Sequence, residues 1–295
     1  MMSKFFHASE LIIAVAFFFT SCASAVPKLS LEQQILPPAE AVHWELSDWA
    51  GLKTLSYTGR TDPVCLYALS LNLRTEGLEF VFTPSPTDIN AEMKSLKTSV
   101  FAEHNNLTAA INATPYASRK LSYLINRSHA PRDVSGLYIY DNHEISSPVP
   151  YFDALYLLYD GSWQMDSQEN IPAGTRWAVG GFHIFLRDGI NEGGSHIRYP
   201  RTAVGFSKDM KTMFLLVVDG RQRDCAGMTT EELGEWMLWM GASHGINMDG
   251  GGSSTLVLRE KGRLRMLNSP VHRTKPGQER AVANHIGFRL PGQME

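Results

Sequence analysis

The chain has 295 residues, of which 43% are hydrophobic and 19% charged, and a formal net charge of −3. That length and mixture suit one large globular domain or two small ones, with enough apolar mass for a sizeable core. The charge balance, without any long basic run, gives no footing for nucleic acid as a partner.

At the N-terminus, Lys4 precedes an apolar stretch, Leu11 to Phe19, that is too short to cross a bilayer as a mature helix. Residues 1–25 therefore read as an export signal with two alternative ends. Ala23-Ser24-Ala25 fits cleavage by an ordinary signal peptidase, whereas Phe19-Thr20-Ser21-Cys22 fits a relaxed lipobox with a lipid anchor on Cys22. The protein is expected outside the cytoplasm, as a periplasmic or outer-envelope lipoprotein or as a secreted protein. Cys22 is its one expected link to a membrane. Residues 26–60, which include Pro37-Pro38, read as a tether and lead-in, and 61–295 as a single domain. Removing Cys22 leaves Cys65 and Cys225. In an oxidising compartment they either join or sit apart as two buried thiols.

Strand-like runs follow at Cys65 to Leu73 and Leu78 to Phe82, joined by a turn at Thr75-Glu76-Gly77. Ile89, Met93, Leu96 and Val100 recur at near-helical spacing and predict a helix over Ile89 to His104. Leu107 to Ile111 reads as a buried strand ending at Asn112. Further strands are expected at Gly136 to Tyr140, Ala154 to Tyr159 and Trp177 to Leu186. Met213 to Val218 is continuously apolar, as a central strand would be. The best-defined helix starts at Thr229, with Glu232 three residues later in a capping-box pattern, and ends at Gly241. Strands outnumber helices, so the expected class is α+β, a single domain with a large mixed or antiparallel sheet core and few helices.

The most informative segment is Asn247-Met248-Asp249-Gly250-Gly251-Gly252-Ser253-Ser254-Thr255. Three successive glycines let a backbone approach a ligand and adopt positive φ. No lysine precedes its Ser or Thr as in a P-loop. A strand follows it, where a dinucleotide loop would open a helix. A Gly-rich hairpin turn is the plain alternative. Asp219 closes an apolar strand before Gly220 and Arg221, and it reads either as a site residue or as a turn aspartate. Arg201 reads as a phosphate ligand or a surface ion pair, and Glu232 as a cap or an acid. No His-Glu-x-x-His spacing points to zinc. Asp219 and Asp249 offer oxygens that suit calcium or magnesium, without fixing either as a cofactor.

The order Arg201-Thr202-Ala203-Val204-Gly205, Val217-Val218-Asp219-Gly220-Arg221-Gln222, the capped helix and the Asp249-to-Ser254 loop resembles the phosphodiester glycosidase family. Ala109 to Ala113, Asn268-Ser269-Pro270 and Glu279 to Asn284 extend that resemblance to roughly residues 65 to 290. It implies hydrolysis of a sugar-1-phosphodiester between the anomeric carbon and a phosphate oxygen. In that reading Arg201 and Arg221 hold the phosphate. Asp249 is the first choice for the reacting carboxylate and Glu232 the second. Asn112, Asp219, Asn247, Gly250, Gly251, Ser253, Ser254, Thr255 and Arg280 shape the pocket. Two other classes are consistent with the same loop. One is a non-catalytic envelope module binding a phosphorylated glycan or cell-wall polymer. The other is a metal-dependent phosphodiesterase attacking phosphorus.

Overall fold

The computed structural model describes residues 42–59, 63–88, 91–118 and 128–292. The export signal, Cys22 and residues 26–41 of the expected tether and lead-in lie outside them. The described residues belong to one compact unit, Ile35–Glu295. Every named strand pair is antiparallel, and the strands form an eight-stranded sheet, two five-stranded sheets and one three-stranded sheet. Among the described residues two α-helices accompany them, Thr98–His104 and Thr230–Met240. No described helix is long and apolar enough to cross a membrane.

The strand Thr212–Asp219 sits between Cys65–Asn72 and Arg201–Phe206 in the eight-stranded sheet. Its continuous apolar run has a direct cause. Met213, Leu215 and Val217 face the main core, shared with Tyr138, Leu155, Ile111 and Leu256 of the five-stranded sheets. Phe214, Leu216 and Val218 face the other way, onto Leu233, Trp236, Met237 and Met240 of the long helix. Both faces are covered, so neither can be polar. The helix carries the expected capping box between Thr229 and Glu232, and it closes on Gly241 at φ 98°, a left-handed cap that suits glycine.

Three expectations change. The predicted helix over Ile89 to His104 shrinks to Thr98–His104; Ile89 and Asn90 lie outside the described residues. Met93 and Lys94 pair instead with Arg132 and Pro131, and Leu96 bridges to Val282, so tertiary strand pairing overrides the helical spacing. The single strand expected over Trp177 to Leu186 is two strands in different sheets, Thr175–Gly180 and Ile184–Arg187. The chain breaks at Gly181, where a Cβ would stand 2.8 Å from Ile246 Cδ1 and 2.9 Å from the Asn247 carbonyl oxygen. The lead-in expected up to residue 60 carries the strand Leu52–Thr58, whose Leu52 and Leu55 are buried in the eight-stranded sheet.

Cys65 and Cys225 form a disulfide with Cα atoms 5.4 Å apart. It ties the segment after Asp219, which carries Arg221, to the strand beside it. The bridge spans 160 residues of sequence, so the unfolded chain loses considerable freedom. Replacing both cysteines by serine is expected to cost about 2–5 kcal/mol, read by denaturant unfolding under non-reducing conditions. An unchanged midpoint would remove the bridge from the stability of the fold.

Candidate functional site

The glycine loop leaves the strand His244–Asn247 of the eight-stranded sheet and enters Leu256–Glu260 of a five-stranded sheet. Asn112, at the end of Ala109–Asn112, holds both ends of it. Its Nδ2 donates to the Asp249 carbonyl at 2.6 Å, and its Oδ1 accepts from the Thr255 N–H at 3.0 Å and the Thr202 hydroxyl at 2.9 Å. Asn112 is fully buried. Backbone bonds complete the frame: Asp249 N–H to Ala113 at 2.9 Å, Met248 N–H to Thr202 at 2.8 Å and Gly251 N–H to Pro200 at 2.8 Å.

Asn268 makes a second clamp. Its Nδ2 donates to Asp219 Oδ1 and to the Ser254 carbonyl, both at 2.9 Å, while its Oδ1 accepts from the Leu256 N–H at 2.9 Å. Ser269 N–H takes the other Asp219 oxygen at 2.8 Å. Burial raises the Asp219 pKa against these bonds. Asn112 and Asp219 thus stand behind the loop as supports.

In front of the loop lies a cavity of about 390 Å³. Its lining includes Asp249, Gly250, Gly251, Arg201, Arg221, Arg280 and Asn247 from the expected set. Phe182, Tyr199, Pro200, Met248 and Gly252 join them. Each glycine is required by what surrounds it. A Cβ on Gly250 would meet the Pro200 carbonyl oxygen at 2.7 Å, and one on Gly252 would meet Arg280 Nη2 at 2.5 Å. Gly251 adopts φ 63° and lies against the Arg221 guanidinium, 3.2 Å from where its Cβ would be.

The Asp249 carboxyl is pushed up to about 6, with burial as the main cause. A hydrogen bond from Ser253 and the charge of Arg280 work against that rise. Ser253 is buried; its hydroxyl takes Arg280 Nη1 at 3.4 Å. Arg280 Nε bonds His272 Nδ1 at 3.2 Å, which requires that nitrogen unprotonated; burial, followed by Arg280 and Arg273, lowers the His272 pKa and keeps it so. Tyr116, which donates to the Ala281 carbonyl at 3.2 Å, also lies within hydrogen-bonding reach of Ser253.

Arg201 spends Nε on the Met228 carbonyl at 3.0 Å, and Nη2 on Ser195 Oγ at 3.2 Å and the Ile197 carbonyl at 2.9 Å. Among the described residues it forms no ion pair, and burial lowers its pKa from the usual value. Arg201 and Arg221 both stand over the Tyr199 ring, 5.7 and 5.3 Å from its centroid. The surface ion pair open to Arg201 in the sequence is therefore not formed.

Glu232 lines neither this cavity nor its neighbour. One of its oxygens accepts the Thr229 N–H at 2.9 Å and the other pairs with Arg198. Ser254 and Thr255 are buried under the loop, and Asn247 carries a buried Oδ1 with no hydrogen-bond partner among the described residues. No three His, Cys, Asp or Glu side chains gather into a metal-binding group among the described residues. Asp219 and Asp249 are thus not joined by a third such ligand. Sequence reasoning missed Phe182, because the break between sheets was read as continuous strand, and Tyr199, whose role depends on two arginines folded over it.

Residues 105–289 match the phosphodiester glycosidase family. Among solved structures, the chain is similar to the zebrafish N-acetylglucosamine-1-phosphodiester alpha-N-acetylglucosaminidase catalytic domain auto-inhibited by pro-peptide, at 18% identity and a TM-score of 0.61, over 84% of this chain and 88% of that one. It is also similar to a protein of Burkholderia pseudomallei K96243 described as exported, at 13% identity and a TM-score of 0.58, over 77% and 74%. A protein from Synechocystis gives 14% identity and a TM-score of 0.51, over 81% of this chain and 62% of that one. No curated protein matches the sequence.

Two substitutions separate the frame from the wall. Asn112→Ala strips partners from two buried groups, the Thr202 hydroxyl and the Thr255 N–H, and from the half-buried Asp249 carbonyl, and is expected to cost about 3 kcal/mol or more in a denaturant melt. Gly251→Ala strains a left-handed residue and displaces the Arg221 guanidinium. It is expected to cost about 1 kcal/mol while weakening inorganic phosphate binding, read by calorimetry. Unchanged phosphate binding in a folded Gly251→Ala protein would show that Arg221 holds no phosphate.

Proposed function

The chain belongs to the phosphodiester glycosidase family, and from that premise we propose that it hydrolyses a sugar-1-phosphodiester between the anomeric carbon and the phosphate oxygen. The observation that carries the reading is one desolvated carboxyl, that of the half-buried Asp249, pushed up to about 6 in a cavity walled by Arg201, Arg221 and Arg280. Its titration lies close to neutral pH, where a general base is most effective. The arginines match the leaving group, a phosphomonoester whose second charge appears as the bond breaks.

In this mechanism Arg201 and Arg221 hold the phosphate and Asp249 faces the anomeric carbon. Asp249 takes a proton from water as the water oxygen bonds to that carbon. The carbon–oxygen bond to phosphate breaks, and its electron pair leaves with the phosphomonoester. An ordinary glycosidase needs a second carboxyl group to protonate a poor alkoxide leaving group, but a phosphomonoester leaves without that help. Asn247 offers its unpartnered oxygen to a sugar hydroxyl. Asn112, Asp219, Ser253, Ser254 and Thr255 hold the loop in shape, and Glu232 positions Arg198 and the helix start. The substrate is a sugar phosphodiester or phosphorylated glycan met outside the cytoplasm, after export with or without a lipid on Cys22. The Cys65–Cys225 disulfide supports an oxidising compartment.

Hydrolysis in heavy-oxygen water tests the bond broken. Label in the sugar supports this reaction. Label in the phosphate would replace it with attack on phosphorus, and absence of any product across a panel of sugar phosphodiesters would leave a binding module. The pH profile gives a second test. Activity needs the ionised Asp249, so kcat/KM is expected to fall below about pH 6. Ser253→Ala removes a bond that lowers the Asp249 pKa, so its acid limb moves to higher pH; an unmoved limb would assign the titration to another group.

Asp249→Asn is expected to lose about 10²-fold or more in turnover. Its stability responds in the opposite direction. The folded protein binds the Asp249 proton more tightly than the unfolded chain, so stability falls as pH rises through about 4 to 6 and the full penalty stands above that window. Asparagine escapes the penalty, on the order of 3 kcal/mol at neutral pH. A less stable Asp249→Asn protein at pH 7.5, or one with normal turnover, would contradict the assignment.

A further inference from the structure

Arg201 lines a second compartment as well as the first. Beyond it lies a space of about 450 Å³ that shares Phe182, Arg201 and Asn247 with the polar cavity. The character of the wall changes across these residues. Arg221, Arg280 and Asp249 line only the first compartment, while Phe182, Ile184 and Phe185 give the second an apolar wall. Its other side is the segment around Gly193 and Gly194, fastened to the helix start by Ser195 N–H on Thr230 Oγ1 at 2.8 Å and by Asn191 Nδ2 on the Glu231 carbonyl at 2.9 Å. Of its polar members, His183 and Glu192 are exposed, Ser195, Arg201 and Thr230 are half-buried, and Asn247 is buried at the wall shared with the first compartment. Ile197, 60% exposed, supplies the carbonyl that holds Arg201.

A phosphodiester has two substituents, and an arginine that holds its phosphate at a shared wall separates them. We propose that the second compartment takes the alcohol on the far side of the phosphate, and that this alcohol is apolar, an aryl or branched alkyl group. The inference rests on the reading of the polar cavity as the sugar-phosphate site. It assigns chemistry to the half of the substrate that the glycine loop does not touch. The two compartments meet at Phe182, so the break between the two strands sets the passage from charged to apolar wall.

Gly194 gives a way to fill the compartment without disturbing the fold. A Cβ there meets nothing within 4 Å, and its φ is not in the left-handed region. Binding of benzyl phosphate and methyl phosphate to the full chain, measured by calorimetry, reads the compartment without any turnover. The unaltered protein is expected to bind benzyl phosphate about tenfold more tightly. Gly194→Leu is expected to bring the two affinities within about twofold while leaving methyl phosphate unchanged. Equal affinities in the unaltered protein, a benzyl preference that survives Gly194→Leu, or failure to bind either phosphate would overturn the proposal. Hydrolysis of a sugar-1-phosphate benzyl diester keeps the two readings apart. A benzyl preference without cleavage at the anomeric carbon counts against the catalytic reading alone. Cleavage there without the preference counts against the second compartment alone.

Discussion

The side chain of Asn112 is the constraint on which the rest of the site depends. One carboxamide, buried between two sheets, holds the carbonyl of Asp249 and the N–H of Thr255, the two ends of the glycine loop. It also reaches Thr202 on the strand that begins with Arg201. The donor and acceptor of an amide are both needed here, and neither aspartate nor leucine could replace them. Because Asn112, Thr202 and Thr255 are buried, the loop cannot drift without leaving polar groups unpaired in the interior. Asn268 repeats the arrangement at the far end, taking Asp219, Ser254 and Leu256 together. The glycines then bring backbone close to Pro200, Arg221 and Arg280, where a side chain would not fit.

The frame supports an electrostatic arrangement that folding alone would not favour. Asp249 is desolvated enough that its carboxyl rises to about 6, with only Ser253, Arg280 and the backbone N–H of Gly250 holding it down. Arg201 is desolvated as well, bound to neutral acceptors, and it forms no ion pair among the described residues. A direct Arg201–Asp249 pair would relieve both charges, yet the structure does not form one. Charges kept apart in a low-dielectric cavity interact strongly with a ligand that brings complementary charge. That separation is the feature most readily explained by a substrate carrying an anion beside an electrophilic carbon.

How much was legible in the sequence differs between frame and wall. The capping box at Thr229 and the apolar strand ending at Asp219 depend on local rules, and they are found where local rules put them. The glycine loop was legible as a loop, because so many glycines among polar residues have few structural uses. The polar positions of the motif were harder to divide. Asn112, Asp219 and Asn268 are polar because buried backbone needs partners, whereas Arg221 and Asp249 line the cavity, and sequence alone weighs the two alike. Glu232 shows the same ambiguity, since a capping glutamate and an acid at a site look identical until Arg198 is seen beside it. Phe182 was hidden for a different reason. Its neighbours are as apolar as a continuous strand, and only the close approach of Ile246 and Asn247 to Gly181 shows that the chain must change sheets there.

A crystal structure of Asp249→Asn soaked with an intact sugar-1-phosphodiester measures directly where the substrate's phosphate and anomeric carbon lie. The phosphate is expected between Arg201 and Arg221 and the anomeric carbon facing residue 249, with the sugar against the glycine loop. A phosphate seated away from those arginines, or a sugar whose anomeric carbon points away from residue 249, would contradict this mechanism.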